Sequence, residues 1–168
     1  MEETFNKIYI IGPVGSGKST LARKMAEKYA IKMYELDQVV WNDKGENENI
    51  KRTDEEIQKI FNEILSQKSW IIEDVGRKKF IDGVKEADIV YYINLSSFTI
   101  YRRCISRWIK QKIRKEQYNY KPTFKGLIQM IGWAKSGIKC KGDKINYIKE
   151  NCKKYKVIDL DDINNMTI

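Results

Sequence analysis

Apolar residues follow two patterns along the chain, and the two patterns alternate. Short, nearly continuous apolar runs predict five strands, at residues 7–11, 31–37, 69–74, 88–95 and 155–160. Segments with apolar residues three or four positions apart predict helices at 18–29, 53–65 and 78–86, from 97 onward, and at about 124–136 and 142–154. Because strands that alternate with helices form β-α-β units, the sequence predicts an α/β fold: a five-stranded parallel sheet with helices on both faces.

Three segments lie outside this alternation. Residues 42–49 are polar and predict a surface loop, and residues 161–168 are expected to form an exit turn and tail. Residues 110–125 are strongly basic, and Tyr118, Tyr120 and Pro122 interrupt any helical period, which predicts a mobile flap. A chain of 168 residues without an internal repeat is expected to form one domain, 1–168.

The composition also limits location and chemistry. The acidic start, Met1-Glu2-Glu3-Thr4, and the lack of an apolar run of about 20 residues predict neither a secretory signal nor a membrane span, so a cytoplasmic protein is expected. Three widely spaced cysteines suit neither a disulfide framework nor a zinc site. The chain has no histidine, so any proton transfer must use a carboxylate, a lysine or a tyrosine.

Positive charge is concentrated in the second half. Residues 100–156 carry a net charge of +14, the rest of the chain carries −5, and the total is +9. Such a field attracts anions, and a polyphosphate, a nucleic acid or an acidic membrane surface would each fit it.

The most specific motif lies between the first predicted strand and the first predicted helix. The eight positions of the pattern GxxxxGK[ST] are filled by Gly12, Pro13, Val14, Gly15, Ser16, Gly17, Lys18 and Ser19, and Thr20 follows as a further candidate for contact with the ligand. Glycines let the backbone N–H groups surround phosphate oxygens, and the helix adds the positive end of its dipole. We therefore predict binding of a nucleoside triphosphate, with Lys18 at the β- and γ-phosphates and the Ser19 hydroxyl on Mg²⁺.

Acidic residues end two of the predicted strands. Asp37 ends the second strand, and Glu73 and Asp74 end the third, which places all three at the sheet edge where α/β proteins bind ligands. Carboxylate oxygens suit Mg²⁺. The alternative for the third-strand acids is that they only polarise a turn. On the helix from residue 97, Arg103 and Arg107 lie four positions apart and would suit a grip on phosphate, the alternative being a solvated basic face.

The phosphate loop, residues 34–41, residues 70–74, and the two arginines together resemble the nucleoside-monophosphate-kinase group. Within it, the chain is most similar to the small adenylate-kinase-like proteins of the DNA topology modulation protein family. The resemblance implies a three-layer P-loop fold with strand order 2-3-1-4-5, an acceptor-binding segment at about 37–68, and a helical lid at about 108–126. It maps the strand-two acid to Asp37, the strand-three acid to Glu73 and the lid arginines to Arg103 and Arg107.

One segment departs from that pattern. Kinases that take a nucleoside monophosphate usually carry Asp-Gly-Phe-Pro-Arg after strand three, whereas this chain has Glu73-Asp74-Val75-Gly76-Arg77. The acceptor is therefore left unassigned.

These features predict an ATP-dependent phosphotransferase. Lys18, Mg²⁺, Arg103 and Arg107 would stabilise charge on the γ-phosphoryl group. Asp37 would orient or deprotonate the acceptor, a nucleotide or another small molecule, and Glu73 would hold Mg²⁺ together with Ser19. Two alternatives remain open at this stage. One is an ATP-switched nucleic-acid-associated protein, since Trp108, Tyr118, Tyr120 and Trp133 are interleaved with basic residues. The other is an ATPase without an acceptor.

Overall fold

The computed structural model describes residues 5–43, 49–113 and 122–166. Its elements are β1 (Lys7–Ile11), α1 (Lys18–Tyr29), β2 (Met33–Glu35), α2 (Leu36–Val40), β3 (Trp41–Asp43), β4 (Asn49–Lys51), α3 (Asp54–Leu65), β5 (Trp70–Asp74), a 3₁₀ turn (Lys78–Phe80), α4 (Ile81–Glu86), β6 (Ile89–Ile93), α5 (Ser97–Lys112), α6 (Phe124–Lys139), α7 (Lys141–Asn151), β7 (Tyr155–Ile158) and α8 (Leu160–Met166). No helix in these ranges is both long and apolar enough to cross a membrane.

Five parallel strands form the central sheet, in the order β2-β5-β1-β6-β7. Counted along the chain within this sheet, the order is 2-3-1-4-5, so the predicted fold class is confirmed. β1 lies in the middle and pairs with β5 on one side and β6 on the other. The segment that leaves β1 therefore emerges at the centre of the sheet edge.

Alternate residues of the strands supply two apolar clusters, one on each face of the sheet. Tyr9 and Ile11 of β1 belong to the first cluster, together with Leu36, Phe61 and Phe80 from the helices on that face. Ile8 and Ile10 belong to the second, which includes Leu21, Ala22 and Met25 of α1. Every residue of β5 and β6 is buried, which explains why these strands are apolar apart from Glu73 and Asp74 at the end of β5.

A third, separate cluster joins α5 to α6. Its buried members are Ile100 and Cys104 of α5 and Leu127, Met130 and Ala134 of α6. Val14, from the segment after β1, is partly buried against it. The two helices therefore pack against the phosphate-loop end of the molecule as well as against each other.

The structure corrects several predicted boundaries. The second strand ends at Glu35 rather than Asp37, because Leu36, Val39 and Val40 recur at helical spacing and bury one face of α2. The predicted loop 42–49 is flanked by a hairpin of β3 and β4, beside which Arg52 donates to the carbonyls of Gln38, Val39 and Trp41.

Two further corrections concern the C-terminal half. α6 continues through Gly137 to Lys139 instead of ending near residue 136. The predicted tail forms α8, whose first turn is capped by the Asp159 carboxylate, which accepts from the backbone N–H groups of Asp161 and Asp162. Of the predicted lid at 108–126, residues 114–121 lie outside the described part of the chain, as do Tyr118 and Tyr120.

Candidate active site

The segment between β1 and α1 has the backbone conformation that its glycines permit. Gly15 has φ +81° and Gly17 has φ +90°, both in the left-handed region, where a side chain is strained. Gly17 is the N-cap of α1, and the Ser16 N–H donates to the Pro13 carbonyl at 3.1 Å. The loop thus turns tightly and ends on the N-terminus of a 12-residue helix, which suits an anion.

Close contacts behind the loop leave no room for larger residues. A Cβ on Gly12 would lie 2.6 Å from Ser16 Oγ, and one on Gly15 would lie 2.6 Å from Cys104 Sγ. Pro13 is buried against α6, because a Cβ on Gly137 would lie 2.9 Å from Pro13 Cβ. Both helices of the third cluster therefore support the loop from outside the sheet.

Lys18 and Glu73 form a buried pair beside the loop. Lys18 Nζ lies 3.6 Å from Glu73 Oε2, and the two side chains are 10% and 3% exposed. Burial raises the pKa of Glu73, while Lys18 lowers it, Glu35 and Asp37 raise it further, and a hydrogen bond from Ser19 lowers it. Ser19 is half-buried, and Thr20 after it is exposed. The structure therefore brings Lys18, Ser19 and Glu73 together.

The donor set is one that Mg²⁺ would fit. Glu73 Oε2 is buried and lacks a hydrogen-bond partner among the described residues, and the Ser19 hydroxyl acts on the same carboxylate. Those residues contain no group of three or more His, Cys, Asp and Glu placed to hold a metal. Two protein oxygens nevertheless suffice for Mg²⁺, because this ion keeps several of its own waters.

Arg77 joins two carboxylates on the other side of the loop. Its guanidinium donates to Asp74 and to Asp37, and Asp74 also accepts from the backbone N–H groups of Gly76 at 2.7 Å and Arg77 at 2.6 Å. The Asp74 side chain is fully buried, whereas that of Asp37 is 55% exposed. Burial acts to lower the pKa of Arg77, but the two carboxylates outweigh it, so the pKa is raised.

α7 contributes a lysine to the same turn. The Lys144 ammonium donates to the Val75 carbonyl, and a Cβ on Gly76 would lie 3.4 Å from Lys144 Nζ. Burial lowers the pKa of Lys144, Asp74 raises it, and the cations Lys18 and Arg77 lower it. Lys144 is thus near both the phosphate loop and the turn after β5.

The two predicted lid arginines differ in position. Arg103 donates to the Ser16 carbonyl at 2.7 Å and lies over Gly17, whose Cβ would be 2.9 Å from the guanidinium. Burial lowers the pKa of Arg103, and the neighbouring Arg102 lowers it further. Arg107 is exposed one turn later, and no described hydrogen bond joins it to the loop.

Sequence reasoning did not assign roles to Arg77 and Lys144. Arg77 could have been found from the sequence, since this arginine comes three residues after the two acids that end a buried strand. Lys144 could not, because it is one of many lysines in a basic region and only folding brings α7 to the turn after β5.

Residues 8–121 match a family described as an AAA domain. The chain belongs to that family. The match includes the phosphate loop, the Lys18–Glu73 pair, Asp37, Arg77 and Arg103, so this AAA domain carries most of the site within the matched region. No curated protein matches the chain at a significant level.

Solved structures share the fold of this AAA domain. A shikimate kinase from Bacteroides thetaiotaomicron aligns with a TM-score of 0.57 and 14% identity, over 98% of this chain and 95% of that one. A shikimate kinase from Acinetobacter baumannii in complex with shikimate gives 0.56 and 15%, over 98% and 90%. An uncharacterized protein from Eubacterium ventriosum ATCC 27560 gives 0.54 and 16%, over 95% and 92%. At these identities the likeness concerns the fold alone, which this chain shares with the two shikimate kinases and the uncharacterized protein.

Proposed function

We propose that the protein is an ATP-dependent phosphotransferase that moves the γ-phosphoryl group of ATP to a small-molecule hydroxyl. The observation that carries this proposal is the buried pair of Lys18 and Glu73 beside a loop whose glycines adopt left-handed conformations. A buried charge pair costs desolvation energy, and a P-loop kinase has a use for both charges. The pair therefore favours a catalytic role over a purely structural one.

The nucleotide half of the site would act through positioning and charge. Loop N–H groups and the α1 N-terminus hold the phosphates, and Lys18 approaches the β- and γ-oxygens. Arg103, already anchored on the Ser16 carbonyl, is placed to meet the phosphates from α5. Glu73 and Ser19 would hold Mg²⁺, which neutralises phosphate charge when bound.

The acceptor half would use Asp37. Its carboxylate is held by Arg77 yet is half-exposed, so one oxygen is available to a hydroxyl. In the transfer, the bond from the γ-phosphorus to ADP breaks, a bond to the acceptor oxygen forms, and Asp37 takes the hydroxyl proton. We place the acceptor-binding segment at about 37–68 and the lid at about 108–126, in one domain spanning 1–168, with Arg107 joining the site from the lid end of α5.

The resemblance to nucleoside-monophosphate kinases, and within them to the small adenylate-kinase-like DNA topology modulation proteins, supports the same reaction class. We also propose that the protein belongs to that subfamily and acts in the cytoplasm, where ATP is available. The aligned shikimate kinases share the fold at low identity, and they leave the acceptor of this chain to experiment.

The test is MgATP consumption by Lys18→Ala beside a matched Lys24→Ala variant. Lys24 lies on the same helix and is exposed, so its loss removes the same charge outside the loop. We expect Lys18→Ala to lose roughly 100-fold or more in kcat/KM, because it loses a charge that acts on the transition state. Lys24→Ala is expected to stay within about twofold of the wild type, since exposed charges contribute little. Full activity in Lys18→Ala would contradict the proposal.

A second measurement separates a kinase from an ATPase without an acceptor. Consumption that rises sharply when a hydroxyl compound is added, with the phosphoryl group recovered on that compound, supports transfer. Hydrolysis to inorganic phosphate at one rate across all hydroxyl compounds would assign an ATPase instead.

A further inference from the structure

We propose that the acceptor is an uncharged or cationic alcohol rather than a phosphate monoester or a carboxylate. This inference rests on the proposed kinase function and concerns the same site. It follows from the contacts around Asp37, where the two cations that the structure brings to the turn after β5, Arg77 and Lys144, already bind groups of the protein.

Arg77 is the first cation that an anionic acceptor would need, and it is already neutralised. One guanidinium nitrogen donates to Asp74 and another to Asp37. Asp74 is held in place by full burial and by two backbone N–H groups. Because two carboxylates face one guanidinium, this part of the site is net negative.

Lys144 is the second cation near the turn that follows β5, and its ammonium group is also bound to the protein. Its ammonium donates to the Val75 carbonyl and lies close enough to Asp74 for that carboxylate to act on it. Asp37, Asp74, Arg77 and Lys144 together sum to zero charge. The half-exposed carboxylate of Asp37 is the member that an acceptor would meet first.

Three further cations near the acceptor segment, Arg23, Arg52 and Lys79, also lie against oxygen atoms of the protein. The Arg52 guanidinium donates hydrogen bonds to backbone carbonyls of α2 and β3. Lys79 lies 3.7 Å from Asp54, and Arg23 lies 3.9 Å from Glu35. Residues 37–68 carry a net charge of −3, against +14 for residues 100–156. The anion-attracting half of the chain is therefore the half that follows the acceptor segment.

This division of charge selects among acceptors. A hydroxyl donates to the free oxygen of Asp37 without meeting a like charge, and an ammonium group on the acceptor would gain from the acidic surroundings. A phosphate monoester or carboxylate would face the Asp37 carboxylate and would have to displace it from Arg77. Like-charge contact is an effective way to reject a wrong substrate.

The first experiment compares charge-matched pairs with MgATP. Suitable pairs are nucleosides with their 5′-monophosphates, glucose with glucose 6-phosphate, and amino alcohols with the hydroxy acids of the same skeleton. We expect at least one uncharged or cationic member to raise ATP consumption about tenfold or more, and its anionic partner to react at less than about a tenth of that rate. Faster turnover of an anionic member would overturn the inference, and so would turnover of no uncharged or cationic member.

The second experiment tests the charge balance by binding. Ribose 5-phosphate is titrated into the ADP-loaded protein and followed by calorimetry. We expect no saturable binding to the wild type and measurable binding to Asp37→Asn, which removes one of the two carboxylates that Arg77 binds. The control is Asp54→Asn, which makes the same charge change in the same segment on an exposed side chain paired with Lys79. Binding to the wild type as tight as to Asp37→Asn would overturn the inference.

The charge of the acceptor and the kinase activity can be rejected independently of each other. A nucleoside monophosphate that proves to be the acceptor would leave the kinase assignment standing and reject the charge selection. Activity independent of Lys18 would reject the kinase assignment itself, whatever ribose 5-phosphate does.

Discussion

Arg103 reaches the phosphate loop from α5. This helix packs into the third apolar cluster and contributes to neither of the two clusters on the faces of the sheet. The hydrogen bond from Arg103 to the Ser16 carbonyl fixes a guanidinium above Gly17, where phosphate oxygens would arrive. A single residue thus connects the third cluster to the nucleotide half of the site.

Arg103→Ala is expected to lower kcat/KM for ATP roughly 100-fold, because it removes a fixed donor aimed at developing charge. The neighbouring Arg102→Ala removes the same charge from an exposed position and should change kcat/KM by less than about twofold. Steady-state kinetics at varied MgATP measures both. Equal losses in the two variants would show a general charge effect rather than a role for the Ser16 contact.

Because of Glu73, the free energy of unfolding of the protein is expected to depend on pH. The pKa of Glu73 in the folded protein is raised above the ordinary value of 4.5, chiefly by burial, so the folded state holds this proton more tightly than the unfolded chain does. Stability from this group is present below its ordinary pKa and is lost as pH rises through the raised pKa. The free energy of unfolding of the wild type, relative to Glu73→Gln, is therefore expected to fall over that window.

Urea unfolding of both proteins without Mg²⁺, from about pH 4 to about pH 8, measures this difference. A Glu63→Gln variant, which removes an exposed carboxylate from α3, should show no such fall. A difference that rises with pH would mean that Lys18 outweighs burial and lowers the pKa of Glu73.

Among the helices, α6 carries Gly137 and Gly132, two glycines whose surroundings differ although they lie five positions apart. A Cβ on Gly137 would lie 2.9 Å from Pro13 Cβ, whereas no atom of the described residues lies within 4 Å of one on Gly132. The first glycine therefore allows α6 to approach the phosphate loop, and the second has no packing role in the structure.

Gly132→Ala is expected to stabilise the protein by up to about 1 kcal/mol, because alanine is the better helix former. Gly137→Ala gains the same propensity but forces Pro13 to move, which should cost about 1–3 kcal/mol and weaken nucleotide binding. Thermal unfolding with and without MgATP measures both effects. Equal stabilisation by the two substitutions would contradict the close approach of α6.

Elements with strong local signals could be predicted from the sequence, and those set by tertiary packing could not. The capping box at Thr53 and Glu56 and the buried run of β5 gave α3 and the third strand close to their observed bounds. Leu36 to Val40 formed a helical turn instead of a strand end, because its spacing matches the apolar cluster beneath it. In the site, the phosphate-loop motif predicted the place of Lys18 and the acidic end of a strand predicted Glu73 beside that loop, whereas the position of Lys144 depends on how α7 packs.

For the whole molecule, charge is divided along the chain. The +14 of residues 100–156 lies on the segment that includes α5, α6 and α7, two of which contact the phosphate loop. This field should draw a polyanion toward the loop before any specific contact forms.

The association rate of MgATP is therefore expected to fall at least about threefold between about 20 mM and about 200 mM NaCl, since salt shortens the Debye length. Stopped-flow fluorescence with a labelled ATP analogue measures the rate. Binding of an uncharged acceptor to the ADP-loaded protein is the control, and it should be nearly independent of salt. A salt-independent rate for the nucleotide would show that the basic surface does not contribute to capture.

The two edge strands of the sheet affect how readily the protein associates with its own copies. β2 has three residues and β7 has four, and β7 carries exposed Lys156, whose ammonium bonds to Asp162 of α8 at 2.9 Å. An edge this short, with a charged side chain tied across it, offers another chain few backbone groups to pair with. The sheet that places the phosphate loop at its centre therefore has edge strands that resist edge-to-edge pairing with another copy. This favours a protein that does not aggregate through its sheet at high concentration.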